Sequence, residues 1–344
     1  MEKYYKLSGL INQKQAKINS KKILFFNFQT IIIDYINYLW FNCRMRKYEK
    51  IVLLTNISKN FGSKSVLSNI NLTIEKGESI GLVGSNGAGK TTLLSLIQGV
   101  KKPSLGTISL FGGVPTDPKQ RVKLGVSPQS VSLPDTFKVK ELIEFVRKHY
   151  RNSDNLSDLV KEFHLEKLMD FKVGGLSGGQ KRLLSICLAF SGNPELVLLD
   201  EPTAGLDFKT RNLLWNVVKN RNSRGTAIIV TSHYTEDIEN LTKRIIKIDN
   251  GRIHIDSELN VIKNTSRKKN ISLRTNSVEV FTRLPGVESY ELKDGYLILK
   301  TIDSEKLIKE IVRTQEYFED LRIFEDSLDD FFTSNTKRIR NSSK

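Results

Sequence analysis

Two stretches of this chain carry side chains able to grip and activate a polyphosphate. The first is Gly84-Ser85-Asn86-Gly87-Ala88-Gly89-Lys90-Thr91-Thr92, which has the form G-x-x-x-x-G-K-[ST]. Glycines let such a loop fold tightly, so that successive N–H groups point inward at phosphate oxygens, and a following helix adds its positive end. Lys90 would bring a mobile point charge to the β and γ phosphates, and the Thr91 hydroxyl is placed to ligate Mg²⁺. A glycine-rich turn with an incidental lysine is the competing reading.

The second stretch is Glu195 to Pro202, ELVLLDEP, an apolar strand that delivers two carboxylates at its end. Open α/β sheets bind ligands at the C-terminal ends of their strands, which places Asp200 and Glu201 in the crevice of the phosphate loop. Asp200 suits holding Mg²⁺ through its water shell, and Glu201 suits a general base acting on a water that attacks the γ phosphate. Adjacent acids at a strand end are otherwise most often a solvated turn. A third apolar run, Ala227 to Val230, ends at Thr231-Ser232-His233. Most lone histidines are structural, the reading given to His149, His164 and His254, but His233 ends a buried strand.

The elements that must hold these groups are legible in outline. Ser79 to Val83 is a short apolar run suited to a buried strand, and Leu93, Leu94, Leu96 and Ile97 after the loop suit a helix. With 344 residues, 39% hydrophobic and 27% charged, the chain is long enough for two globular domains. Of the net charge of +16, about seven units lie in residues 1–50 and about four in Lys337–Lys344. The bulk is therefore only mildly basic, and no aromatic-interleaved basic stripe argues for nucleic acid. A basic tail is better suited to anionic lipid headgroups. Cys43 and Cys187 are far apart and lack metal-type spacing, which suits a reducing cytoplasm.

Between the two phosphate-related stretches lies Leu176-Ser177-Gly178-Gly179-Gln180, which resembles the signature motif of the ABC ATPase family. The resemblance covers roughly residues 52–256 and implies an α/β fold: an ABC-type P-loop ATPase domain with a central sheet, flanking helices and a helical subdomain carrying the signature. It implies ATP and Mg²⁺ as ligands. In the family, Ser177, Gly178, Gly179 and Gln180 would touch the ATP of the opposite subunit, so two copies would sandwich two nucleotides as a homodimer beneath a separate multi-span permease. Residue by residue, Ser127-Pro128-Gln129 resembles the segment whose glutamine senses Mg²⁺ and couples to the permease, which gives Gln129 that role. Ala204-Gly205-Leu206-Asp207 resembles the loop that communicates across the dimer and points to Asp207. His233 resembles the switch histidine at the γ phosphate. Lys59-Asn60-Phe61-Gly62 resembles the loop whose aromatic ring stacks on adenine; tyrosine is more usual there, and Phe61 keeps the π face. Leu184 departs from the basic run of many relatives.

After a basic linker over 257–269, a β-α-β-β-α-β order is expected in 270–334: strands at Ile271–Thr275, Val287–Leu292, Tyr296–Thr301 and near Leu321–Phe324, with helices near Val278–Leu284 and at Ser304–Thr314. Lys293-Asp294-Gly295 is a hairpin turn signal. The expected organisation is an extension over 1–50, the ATPase domain over 51–256, this small α+β accessory domain and a basic tail over 335–344. Asp326-Ser327-Leu328-Asp329-Asp330-Phe331-Phe332 and Ser232-His233-Tyr234-Thr235-Glu236-Asp237 resemble segments of antibiotic, bacteriocin and drug exporter ATPases, which implies export. Importer ATPase and a soluble nucleotide-gated protein are the alternatives. Ribosome-acting relatives usually hold two cassettes and DNA-repair relatives insert long coiled coils, whereas about 86 residues separate Lys90 from Ser177 here.

Residues 23–41 are apolar over a span-like length, yet eleven Ile, Leu and Phe contribute roughly −3 to −7 kcal/mol against about +3 for Asp34, with Asn27, Gln29 and Asn37 adding cost. A surface anchor and a true span stay open. The preferred reading is a mis-called start or a dispensable extension: 26 of the first 44 residues are Lys, Asn, Ile, Phe or Tyr, as translated AT-rich sequence would give, and Met45 becomes the candidate start. No cleavable export signal is evident, so the expected location is the cytoplasmic face of the membrane, held peripherally.

Overall fold

The computed structural model describes residues 49–150, 153–265, 269–325 and 328. Residues 1–48 of the extension, Met45 among them, residues 266–268 of the expected linker, the Asp326–Phe332 motif apart from Leu328, and the basic tail lie outside the described residues.

The chain opens with two long strands, β1 (Lys50–Phe61) and β2 (Lys64–Glu75), then the short β3 (Ser79–Val83) and α1 (Lys90–Ile97). Next come β4 (Leu105–Leu110), α2 (Pro118–Arg121) and β5 (Leu124–Ser127). The helical segment holds α3 (Val139–Arg147), α4 (Leu156–Glu162) and α5 (Gly178–Phe190). Strand and helix then alternate through β6 (Leu196–Asp200), α6 (Phe208–Ser223), β7 (Ala227–Thr231), α7 (Thr235–Leu241), β8 (Arg244–Asp249) and β9 (Arg252–Glu258).

Two sheets result. One is antiparallel in the order β2-β1-β4; the other has six strands in the order β5-β6-β7-β3-β8-β9, parallel except for the β8–β9 pair. Strands covered on both faces read as continuous apolar runs, and that explains LVLLD and AIIVT, buried at every position. Alternate residues serve different cores. Leu196, Leu198, Ala227 and Ile229 pack with α1 and the antiparallel sheet, while Val197, Leu199, Ile228 and Val230 pack with the helical side around Phe163, Phe190 and Trp215. The parallel strands end together at Val83, Asp200 and Thr231, which brings their following loops to one edge.

Residues 257–269 do not form a bare linker. Strand β9 runs to Glu258, and α8 (Leu259–Thr265) buries Leu259 and Ile262 against Val83, Ile238, Ile245 and Leu328. The basic run drew attention away from these two apolar residues, whose i, i+3 spacing puts them on one helix face.

The remaining segment folds as β10 (Lys269–Arg274), α9 (Val278–Thr282), β11 (Ser289–Lys293), β12 (Tyr296–Thr301), α10 (Ser304–Arg313) and β13 (Glu319–Glu325). Its antiparallel sheet, ordered β11-β12-β10-β13, packs Ile271, Leu273, Leu297 and Leu299 against Phe281, Leu307 and Ile311. Asp294 at φ 52° and Gly295 at φ 79° give the hairpin the double positive-φ turn that its Asp-Gly pair favours. This is the β-α-β-β-α-β order of the sequence reading.

Candidate functional site

The loop between β3 and α1 is built around glycine. Gly84 sits at φ 155°, and a Cβ there would lie 2.1 Å from the Ile248 carbonyl oxygen of β8. Gly89, at φ 113°, is the residue before α1, and a Cβ on it would come within 2.6 Å of Leu67 Cδ2. Gly84→Ala is therefore expected to displace the loop and lower the melting temperature by about 5 °C, as strain of about 1–3 kcal/mol would in a chain of this size. Thermal denaturation with and without nucleotide measures it.

Lys90 opens α1 and is buried. Its ammonium donates to the carbonyl oxygens of Gly84 at 2.7 Å and Ser85 at 3.2 Å, so it reaches back across the loop. Burial lowers its pKa from the ordinary lysine value, while the nearby Glu201 and Asp200 charges oppose that shift.

Asp200, the last residue of β6, faces this loop. Its carboxylate accepts a hydrogen bond from Thr91 Oγ1 at 3.3 Å and one from Thr231 Oγ1, at the end of β7, at 2.5 Å. Glu201 follows in a left-handed conformation, φ 53°, uncommon for a residue with a long side chain. Two contacts hold it there: its N–H donates to Thr231 O at 3.2 Å and Thr231 Oγ1 at 2.9 Å. The Glu201 carboxylate accepts from the His233 N–H at 3.2 Å and lies 3.3 Å from His233 Nε2. Burial raises its pKa above the ordinary glutamate value; the neighbouring His233, with its N–H bond, and Lys90 pull the other way.

Asn86, Gly87, Gly89, Lys90, Thr91, Thr92, Gln129, Asp200, Glu201 and His233 together line a cleft of about 550 Å³. Gly84 and Ser85 supply the carbonyls that hold Lys90, and Ala88 is buried in the loop with its N–H bonded to Ser85 O at 3.1 Å. Phe61 is not among the lining residues; it is exposed near the start of β2, with the ammonium groups of Lys59 and Lys101 at 5.1 and 4.6 Å from its ring centroid.

Ser177 and Gln180 also lie outside this cleft. Ser177 caps α5: its hydroxyl accepts from Gln180 N–H at 3.2 Å, and Gln180 Oε1 accepts from Ser177 N–H at 2.9 Å. Gly178 and Gly179 form the first turn behind this cap, and nothing lies within 4 Å of the Cβ position of Gly178. Asp207 caps α6 by accepting from Thr210 N–H and Oγ1, both at 2.9 Å; those bonds lower its pKa.

The sequence reading missed part of the lining. Lys64, Ser65 and Val66 of β2 and Asn250–Gly251 of the β8–β9 turn complete the cleft. They meet because Ser68 N–H donates to Gly251 O at 2.9 Å and because Gly251, at φ 74°, presses close to the Val66 carbonyl. Only the Asn-Gly turn signal at 250–251 was available from sequence. Arg182 was also missed. It is buried on α5 and donates to Pro128 O at 2.6 Å and to Gln129 O, which ties the Gln129 segment to the helix begun by Ser177.

An anion cradle with a buried lysine and two carboxylates at strand ends can hold a triphosphate and direct a water at it. Residues 67–204 match the ABC transporter family. A Nod factor export ATP-binding protein I of Burkholderia lata is 42% identical over 204 residues, covering 57% of this chain and 67% of that protein. Its namesake in Rhizobium meliloti is 35% identical over 207 residues, covering 58% and 62%. Among solved structures, an ATP-binding subunit of an ABC transporter has a TM-score of 0.59 at 26% identity, over 62% of this chain and 92% of that one. A dimeric ATP-binding cassette in a post-hydrolysis state, bound to ADP and Pi, has a TM-score of 0.55 at 28% identity, over 60% and 98%.

Proposed function

As this chain belongs to the ABC transporter ATP-binding family and is an ATPase subunit of that kind, we propose that it works as a homodimer that hydrolyses ATP to drive export through a separate membrane permease. The observation that carries the reading is a division. Lys90, Thr91, Asp200 and Glu201 share one cleft, whereas the signature-like turn at Ser177–Gln180 lies elsewhere on the chain. A nucleotide gripped from both sides then needs the Ser177 turn of a second copy.

In this reading the Gly84–Thr92 loop cradles the phosphates with its N–H groups and Lys90 neutralises charge on the β and γ oxygens. Glu201, whose raised pKa marks it as a proton acceptor of more than ordinary carboxylate basicity, orients a water in line with the γ phosphorus and takes its proton. His233, bonded to Glu201 through its N–H, contacts the γ phosphate. Phe61 stacks on adenine, Gln129 senses the metal, and Asp207 meets the partner copy.

Hard oxygen donors, the Thr91 hydroxyl and the Asp200 carboxylate 3.3 Å apart, suit Mg²⁺. Held by Thr91 and Asp200, Mg²⁺ would supply positive charge to neutralise the bound phosphates.

Relatives named for Nod factor export support the outward direction. No helix among the described residues is long and apolar enough to cross a membrane, and we assign the passage of cargo to a separate permease with this chain at its cytoplasmic face. The expected result in sedimentation velocity is that Glu201→Gln shifts from monomer to dimer on adding MgATP, and that Ser177→Arg in the same background stays monomeric. A Glu201→Gln protein that remains monomeric at saturating ATP would overturn the sandwich.

A further inference from the structure

The Asp237 carboxylate has no place in the chemistry above, yet it is completely buried and bonded on every side. Oδ2 accepts from Ser232 Oγ at 2.7 Å and from Thr203 Oγ1, and Oδ1 accepts from Trp215 Nε1 at 2.9 Å. These donors come from three separate segments. Ser232 immediately precedes His233, Thr203 lies two residues after Glu201 and begins the loop to Asp207, and Trp215 is on α6. Ser232 Oγ also accepts the Tyr234 N–H at 3.0 Å, so the peptide unit that follows His233 is tied to it, while the His233 N–H of the preceding unit is held by Glu201. Thr203 O accepts the Leu206 N–H at 3.1 Å, and Leu206 directly precedes Asp207.

A buried carboxylate loses several kcal/mol of solvation and persists only where donors replace the water. Here three donors replace it, and two of them belong to loops on either side of the Glu201–His233 contact. An apolar residue would fill the same space without that penalty, so packing alone does not require an acid at this position. The shared acceptor instead makes the two loops move together: His233 cannot leave Glu201 through a shift of Ser232 without also pulling on Thr203.

We propose that Asp237 is a positioning residue that locks the His233 loop to the loop running from Thr203 to Asp207, so that the γ-phosphate contact and the cross-dimer contact form as one unit. The inference rests on the ATP-site reading given above. Asp237→Asn separates the two halves of the network. Its Oδ1 still accepts from Trp215, while its Nδ2 replaces the acceptor that the Ser232 and Thr203 hydroxyls share, so that each hydroxyl must turn and accept instead of donating. Trp215→Phe does the opposite, removing the helix-side bond and keeping both loop-side ones.

Phosphate release as a function of ATP concentration is the test. Asp237→Asn is expected to lower kcat by about ten- to a hundredfold, the scale of a misplaced catalytic group, with KM for ATP within about twofold. Trp215→Phe is expected to keep kcat within about twofold of wild type. His233→Ala combined with Asp237→Asn should be no slower than His233→Ala alone, because both remove the same contact. Should Asp237→Asn fail to fold, the double variant Thr203→Val with Ser232→Ala carries the same expectation. Full turnover in Asp237→Asn, or in that double variant, overturns the positioning role, as do fully multiplying defects with His233→Ala. A wild-type protein without ATPase activity would instead overturn the reading beneath it.

Discussion

Lys90→Ala is expected to lower ATP turnover by at least about a hundredfold, the scale on which a preorganised charge at a transferring phosphoryl group acts. The side chain is buried, and its ammonium is held by the Gly84 and Ser85 carbonyls, both part of the loop it would serve. No carboxylate is within ion-pair distance of it among the described residues, although Asp200 and Glu201 are near enough to oppose the lowering of its pKa. A desolvated cation with neutral partners gains most from an arriving polyanion. Removal of the charge should therefore cost both affinity and rate: KM for ATP rises and kcat falls. Measurement of phosphate release alongside the melting temperature separates this from unfolding, since an alanine at the start of α1 keeps a strong helix former there. Turnover within tenfold of wild type would remove Lys90 from the phosphate site.

Glu201→Gln should be the other large effect, and it should differ in kind. Loss of a general base costs about 10²- to 10⁴-fold in kcat, but glutamine keeps the shape and can still accept the His233 N–H, so ATP binding should persist. The pH dependence carries a second signature. Burial raises the Glu201 pKa, so in the nucleotide-free protein the base form accumulates only as pH rises through a value above the ordinary glutamate range of about 4.3. The acidic limb of kcat/KM in wild type is expected above that value and should vanish from the residual activity of Glu201→Gln. An unchanged acidic limb in the variant would assign the titration to another group.

The phosphate loop and the two strand-end acids were legible because their chemistry is local: glycine spacing, a lysine at a helix start and a carboxylate pair after an apolar run all lie within a few residues. The β-α-β-β-α-β order was legible for the same reason, its hairpin announced by Asp-Gly. What could not be read depends on contacts distant in sequence. Lys64–Val66 and Asn250–Gly251 reach the cleft only because β2 and the β8–β9 turn meet. Arg182 reads as one more basic residue until α5 packs against the Gln129 segment. Asp237 reads as a surface acid of a short helix until two loops and helix α6 close over it. The left-handed backbone of Glu201 leaves no mark in composition, and helix α8 was obscured by the basic residues that follow it. Phe61 shows the converse: a family-like position whose ring is flanked by lysines rather than set in the lining of the cleft.

Strands that divide their side chains between two interiors behave as a stiff plate clamped from above and below. Such a plate bends little, so any rearrangement triggered at its edge has to be conducted by the flexible joints that leave it. In this molecule those joints are the Gln129 segment, fastened to α5 by Arg182, and the His233 loop, fastened by Asp237. If the proposed ATP-driven cycle holds, work done on the nucleotide would leave through two short levers, one pinned by Arg182 and the other by Asp237 and Glu201.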